Sequence, residues 1–211
     1  MSAYNEAVCP LDKCRTDFIQ ILKDTRREGI GALLDFLEKK TDFFTAPYKA
    51  DRDDIREGAL LRHCLTVYSR LMALYSQEEL LRQNKNAELD ESKTRKICDS
   101  IAIIGLLHGA YMANYFRRAT SQAIDPATGE VMDVTTVEVR DSILGYGKGE
   151  ESVYILSSFI KLSREEAFAI RFQDGDFSDP NTARAYRKSP LALLLHIAIL
   201  QTEFLEAADE A

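Results

Sequence analysis

Ile97-Cys-Asp-Ser-Ile101-Ala-Ile-Ile104-Gly-Leu-Leu-His108-Gly109-Ala-Tyr111-Met112-Ala-Asn-Tyr115-Phe-Arg117-Arg118 is the stretch on which the fold turns. Ile97, Ile101, Ile104, His108, Tyr111 and Tyr115 recur at alternating spacings of four and three, which lays them along one stripe of an α-helix. The spacing predicts a buried helix over this stretch, with His108 pointing inward. An imidazole on such a stripe is either a satisfied core histidine or a ligand at the centre of a helical bundle, and spacing alone favours the core.

Upstream, Phe18, Ile21, Leu22 and Thr25, then Leu33, Leu34 and Leu37, repeat at helical spacing on either side of Gly29 and Gly31. They predict two helices or one broken one between Lys13 and Lys40. Thr41 to Pro47 interrupts the pattern, and an acidic loop with Asp51, Asp53 and Asp54 follows. The next helix carries the apolar stripe Leu60, Cys64, Val67, Leu71 and Leu74, with His63 at its edge. Gln77 to Lys96 is polar and charged, as expected of an exposed connection.

Downstream, the turn signal Asp125-Pro-Ala-Thr-Gly129 lies between Ile124 and the alternating Val131, Val134, Val137 and Val139, which predicts a β-hairpin inserted over residues 121–140. Gly147-Lys148-Gly149 is a glycine-flanked turn ahead of a helix. Ser163 and Glu166 are spaced as a capping box. Asp174, Asp176 and Asp179 cluster in a loop closed by Pro180 and read as turn residues rather than a cation site. Ser189-Pro190 opens a last helix whose expected buried face is Leu193, His196, Ile197, Leu200 and Phe204.

The 211 residues, with no linker-like break, predict a single domain. Residues 1–42 form its helical scaffold and residues 43–205 its core. The formal net charge of −7 removes the long-range attraction that duplex nucleic acid requires. No apolar run reaches the ~20 residues of a membrane span, and no signal-peptide pattern opens the chain, so a cytoplasmic location is expected. Cys9, Cys14, Cys64 and Cys98 include no C-x-x-C pair, and reduced thiols are the default; Cys9 and Cys14 find no second Cys/His pair to complete a zinc site.

The motifs resemble the HD-domain superfamily of metal-dependent phosphohydrolases, of the gut-bacterial and phage type. Leu106-Leu-His108-Gly109-Ala-Tyr-Met112 is similar to that family's Leu-Leu-His-Asp-x-x-Lys helix, and Glu57-Gly-Ala-Leu-Leu-Arg-His63 to its first histidine motif. Tyr146-Gly-Lys148-Gly-Glu150 resembles Tyr-Gly-His-Gly-Glu, Ile170-Arg171-Phe-Gln173-Asp-Gly175 resembles Ile-Arg-Trp-His-x-Gly, and His196-Ile-Ala-Ile199 resembles His-Ile-Ala-Asp. The resemblance implies a mainly α fold, a single HD-like helical bundle with a small β-hairpin inserted near the mouth of the site. It also implies that His63, His108 and position 199 surround one centre.

Of the metal donors so implied, His63 and His108 remain. Gly109 and Ile199 have no donor, Lys148 brings a competing charge, Gln173 is a weak neutral oxygen ligand, and Asp53 stands where the family has a further histidine. Two imidazoles hold a transition ion loosely and supply no carboxylate. The expectation is therefore a pseudoenzyme with no cofactor, or at most a weakly bound divalent metal, that retains a small anionic, nucleotide-like ligand. Lys148, Arg171, Arg117 and Arg118 are candidate phosphate contacts, with Gln173, His63 and His108 lining the pocket. Two other readings stand beside it. One is a protein-interaction subunit whose pocket is vestigial; the other is an active hydrolase that works through substituted ligands, with His63, His108, Asp141 and Asp174 as the candidates.

Overall fold

Two helical segments, residues 60–67 and 101–107, are buried on nearly every side and make the centre of the fold. A computed structural model describes residues 9–48, 56–83, 91–124, 129, 131–139 and 145–205. Its elements run α1 (Leu11–Asp24), α2 (Ile30–Lys39), α3 (Ala59–Gln83), α4 (Glu91–Leu107), a short 3₁₀ helix (His108–Met112), β1 (Phe116–Ile124), β2 (Val131–Val139), α5 (Lys148–Ser157), α6 (Arg164–Arg171), α7 (Pro180–Lys188) and α8 (Pro190–Leu205). The architecture is mainly α with a small β insertion. No described helix is long and apolar enough to cross a membrane.

From Leu60 to Val67 every α3 side chain except Arg62 is buried, and from Ile101 to Leu107 every residue of α4 is buried. Such all-round burial extends beyond the stripes that the apolar spacing marks on each segment. The two helices pack antiparallel and close. A Cβ on Gly105 would lie 2.9 Å from the Tyr68 Cα, so glycine is what admits the α3 backbone here. One apolar core runs from Cys9 to Ala198, and α8 packs on α3 and α6. The ring cluster Phe18, Phe43 and Phe44 folds the 41–48 turn onto α1, ahead of α3.

The expected helix through Arg118 ends instead at Leu107. Its terminal carbonyls are taken by side-chain donors, as helix ends require. His108 Nδ1 lies 2.9 Å from the Gly105 carbonyl, and the His108 carbonyl accepts from Ser152 Oγ at 2.8 Å and Gln173 Nε2 at 3.2 Å. Asn114 then adopts a left-handed φ of 60°, and its side chain and backbone exchange hydrogen bonds with Asp42. The chain leaves this turn as a strand. The hairpin thus begins at Phe116 rather than 121, pairing Phe116 with Val139 through Ile124 with Val131, and Arg117 and Arg118 stand on β1.

The face expected for α8 is also corrected. Leu191, Ala192, Leu194, Leu195, Ala198 and Thr202 are buried, while Leu193, Leu200 and Phe204 are exposed and His196 and Ile197 half-buried. The helix is apolar on both sides, so periodicity had no polar face with which to orient it. The two N-terminal helices, the Ser163–Glu166 capping box and the Pro190 helix start stand as expected.

Candidate functional site

The antiparallel pairing of α3 and α4 carries His63 and His108 to one point. Their Nε2 atoms lie 3.3 Å apart, from residues 45 positions apart in the chain, and both rings are buried. The Gly105 carbonyl can only accept, so Nδ1 of His108 carries its proton. In the neutral ring Nε2 is then an acceptor facing the N–H of His63. Burial pushes the His108 imidazole down to about 4, and the carbonyls of Gly105 and Ile104 offset only part of this. At neutral pH the ring is uncharged.

The 41–48 turn and α8 complete the surroundings. Tyr48 stacks on His63 with ring centroids 3.7 Å apart, and its hydroxyl donates to Glu203 Oε1 at 2.6 Å. Burial, then the Glu203 carboxylate, raises the Tyr48 hydroxyl far above the ordinary tyrosine range. Tyr111 is raised by burial and then by Asp174. Sequence reasoning missed Tyr48 and Glu203: they lie 155 positions apart, and no local motif marks either one. Ile199 sits one turn before Glu203 on α8 and packs against the core.

The other candidates divide. Gln173 is buried; its Nε2 donates to the His108 carbonyl, its own carbonyl is 2.8 Å from His196 Nδ1, and its Oε1 has no partner among the described residues. It holds His108 from behind. Lys148 begins α5 as an exposed residue with Nζ 6.0 Å from the Tyr111 ring centroid, at the edge of the site. Arg171 is engaged, with Nε 3.0 Å from Glu150 Oε1 and its guanidinium over the Phe172 ring. Arg117 is exposed on β1. Asp53 and Asp141 lie outside the described residues. Asp176 and Asp179 serve the turn and the α7 N-cap, through Ser178 and Asn181.

The metal implied by the resemblance can be tested on the donors. Two imidazole nitrogens sharing one tetrahedral ion at ~2.0–2.1 Å stand about 3.3–3.4 Å apart, so the pair is spaced for a common ion. No group of three or more His, Cys, Asp and Glu converges among the described residues. Position 109 has closed as well. A Cβ on Gly109 would come 3.0 Å from Leu60 Cδ1 and 3.3 Å from Cys64 Sγ, and the Gly109 N–H faces the Cys64 sulfur. A side chain there would have to press Leu60 and Cys64 of α3 aside by a few tenths of an ångström. Two donors without a carboxylate do not fit a firmly held ion.

No protein-family model matches this chain, and searches of the curated proteins and of the solved structures returned no match.

Proposed function

We propose that the chain is a degenerate HD-type protein that binds a small anionic, nucleotide-like ligand without metal-dependent hydrolysis. The observation that supports this reading is the buried His63–His108 pair beside a closed position 109. The two imidazoles meet, and the residue beside them at 109 is a glycine, which brings no carboxylate and is crowded by Leu60 and Cys64. His108, neutral and with both ring nitrogens engaged, brings no charge. Positive charge comes from Lys148, beside Tyr111, whereas Glu203 stands behind Tyr48. The anionic part of a ligand is therefore expected at the Lys148 end, with an uncharged ring or sugar nearer the histidines.

Calorimetric titration against a panel of nucleotides and sugar phosphates, with chelator present, tests this. A charge-assisted contact contributes ~1.5–3 kcal/mol, so Lys148→Ala is expected to weaken the bound compound at least ~10-fold with the fold intact. Absence of binding across the panel, or indifference to that substitution, removes the ligand reading in favour of a protein partner. The second reading, a hydrolase with substituted ligands, draws on the 3.3 Å imidazole spacing. Turnover of phosphoesters with added manganese or nickel, abolished by His108→Ala, would establish it.

A further inference from the structure

The start of α1 holds a pair of thiols that the proposed ligand site does not use. Pro10 is the N-cap of α1, Cys9 precedes it, and Cys14 is the fourth helical residue. Side chains at those two positions ordinarily meet as an apolar staple, because a helical Cβ tilts back toward the N-terminus. Here both are cysteines. The Cys14 N–H donates to the Pro10 carbonyl at 3.0 Å, which fixes the turn, and the two sulfurs are in direct contact. Both thiols are free and buried, at 2% and 0% exposure. From α3, Arg62 donates to the Cys9 carbonyl and places Nη1 3.4 Å from Cys14 Sγ.

We propose that Cys9 and Cys14 are a redox-active pair that closes reversibly into a disulfide across the first turn of α1. The helix-start geometry supplies proximity with little backbone movement, which disulfide formation demands. Arg62 supplies a fixed cation beside the sulfur that must ionise, against the burial and the neighbouring Cys9 that push Cys14 up to about 12. The oxidant is a small-molecule disulfide of the glutathione class. The Cys9 thiol gives its proton to solvent and attacks one of its sulfurs, forming a mixed disulfide and expelling one thiolate; Cys14 gives its proton to solvent, attacks Cys9 Sγ and expels the second. Two protein thiols lose two electrons and two protons, and the small disulfide leaves as two thiols. Because both sulfurs are buried, the first attack requires the helix start to open.

The full chain is equilibrated in oxidised and reduced glutathione, starting once from the reduced protein and once from protein oxidised with diamide, then quenched in acid, alkylated and mapped. The expected oxidised product has lost two hydrogens and two of its four alkylatable thiols. Trypsin cuts after Lys13, between the two cysteines, so the peptide 1–13 is expected to remain tied to Cys14-Arg15 until reduced, with Cys64 and Cys98 alkylated. In Cys14→Ala, glutathione is expected to persist on Cys9, a species the natural chain resolves. Recovery of Cys9 and Cys14 as alkylated thiols from both starting points overturns the proposal. So does a persistent mixed disulfide in the natural chain, or a linkage to Cys64 or Cys98.

Discussion

Lowering the pH should destabilise this protein through His108 by an amount the burial of that ring sets. The unfolded imidazole titrates near 6.5 and the folded one at about 4, so the native state prefers the neutral ring. That contribution is fully present above the unfolded value and is lost as pH falls from 6.5 toward 4. Linkage puts the loss at about 1.4 kcal/mol at pH 5.5 and about 2.6 at pH 4.5, against a limit of about 3.4. His108→Gln carries no charge at any pH and retains a donor for the Gly105 carbonyl. The assay is urea unfolding of both proteins at pH 7.5, 6.5, 5.5 and 4.5, followed by circular dichroism because the chain has no tryptophan. Subtracting the variant removes the titrations the two proteins share. A wild-type minus variant difference that moves by less than about 0.5 kcal/mol across the range would refute the reasoning, since a buried, neutral His108 must titrate between the two values.

Three other substitutions have outcomes set by packing and pairing. Glu166 is fully buried and accepts from Arg27 Nη2 at 2.7 Å, from Ser100 Oγ and from the Ser163 N–H. Burial alone would raise its carboxyl, but these donors hold it below the ordinary range, so its contribution is present at neutral pH and lost as the medium becomes acid. Glu166→Ala should cost about 3 kcal/mol in a neutral-pH denaturant titration, with a smaller loss in acid. Gly109→Asp should cost about 2–4 kcal/mol from crowding against Leu60 and Cys64 and an unpaired carboxylate. Elemental analysis of that variant after zinc loading should find no firmly held metal. Gly105→Ala places a methyl 2.9 Å from the Tyr68 backbone, so a loss of about 1–3 kcal/mol is expected in the same unfolding assay.

The readings that came through from sequence were those whose physics is local. Ser163 and Glu166 reach each other within one helical turn, and Pro190 suits the first helical position, so both helix starts could be read from a few residues. The Asp125–Gly129 turn signal located a hairpin, but its base was misjudged by five residues because Tyr115 and Phe116 continue the apolar stripe of α4. What takes over beyond Leu107 is a set of distant partners: Ser152 and Gln173 donate to the His108 carbonyl, and the Asn114 N–H donates to the Asp42 carboxylate. The α8 face was misread because that helix is apolar all round.

By itself the sequence determined that this chain is mainly helical with one inserted hairpin, and that His63 and His108 sit on apolar segments. Turn chemistry, capping and period depend on residues a few positions apart, and propensity suffices for them. Only the tertiary structure decided that the two imidazoles face each other at 3.3 Å, that Tyr48 and Glu203 close over them, and that position 109 is packed against α3. The imidazole pair joins residues 45 positions apart and the Tyr48–Glu203 bond residues 155 apart, and the pair can form because glycine at 105 lets the α4 backbone approach α3.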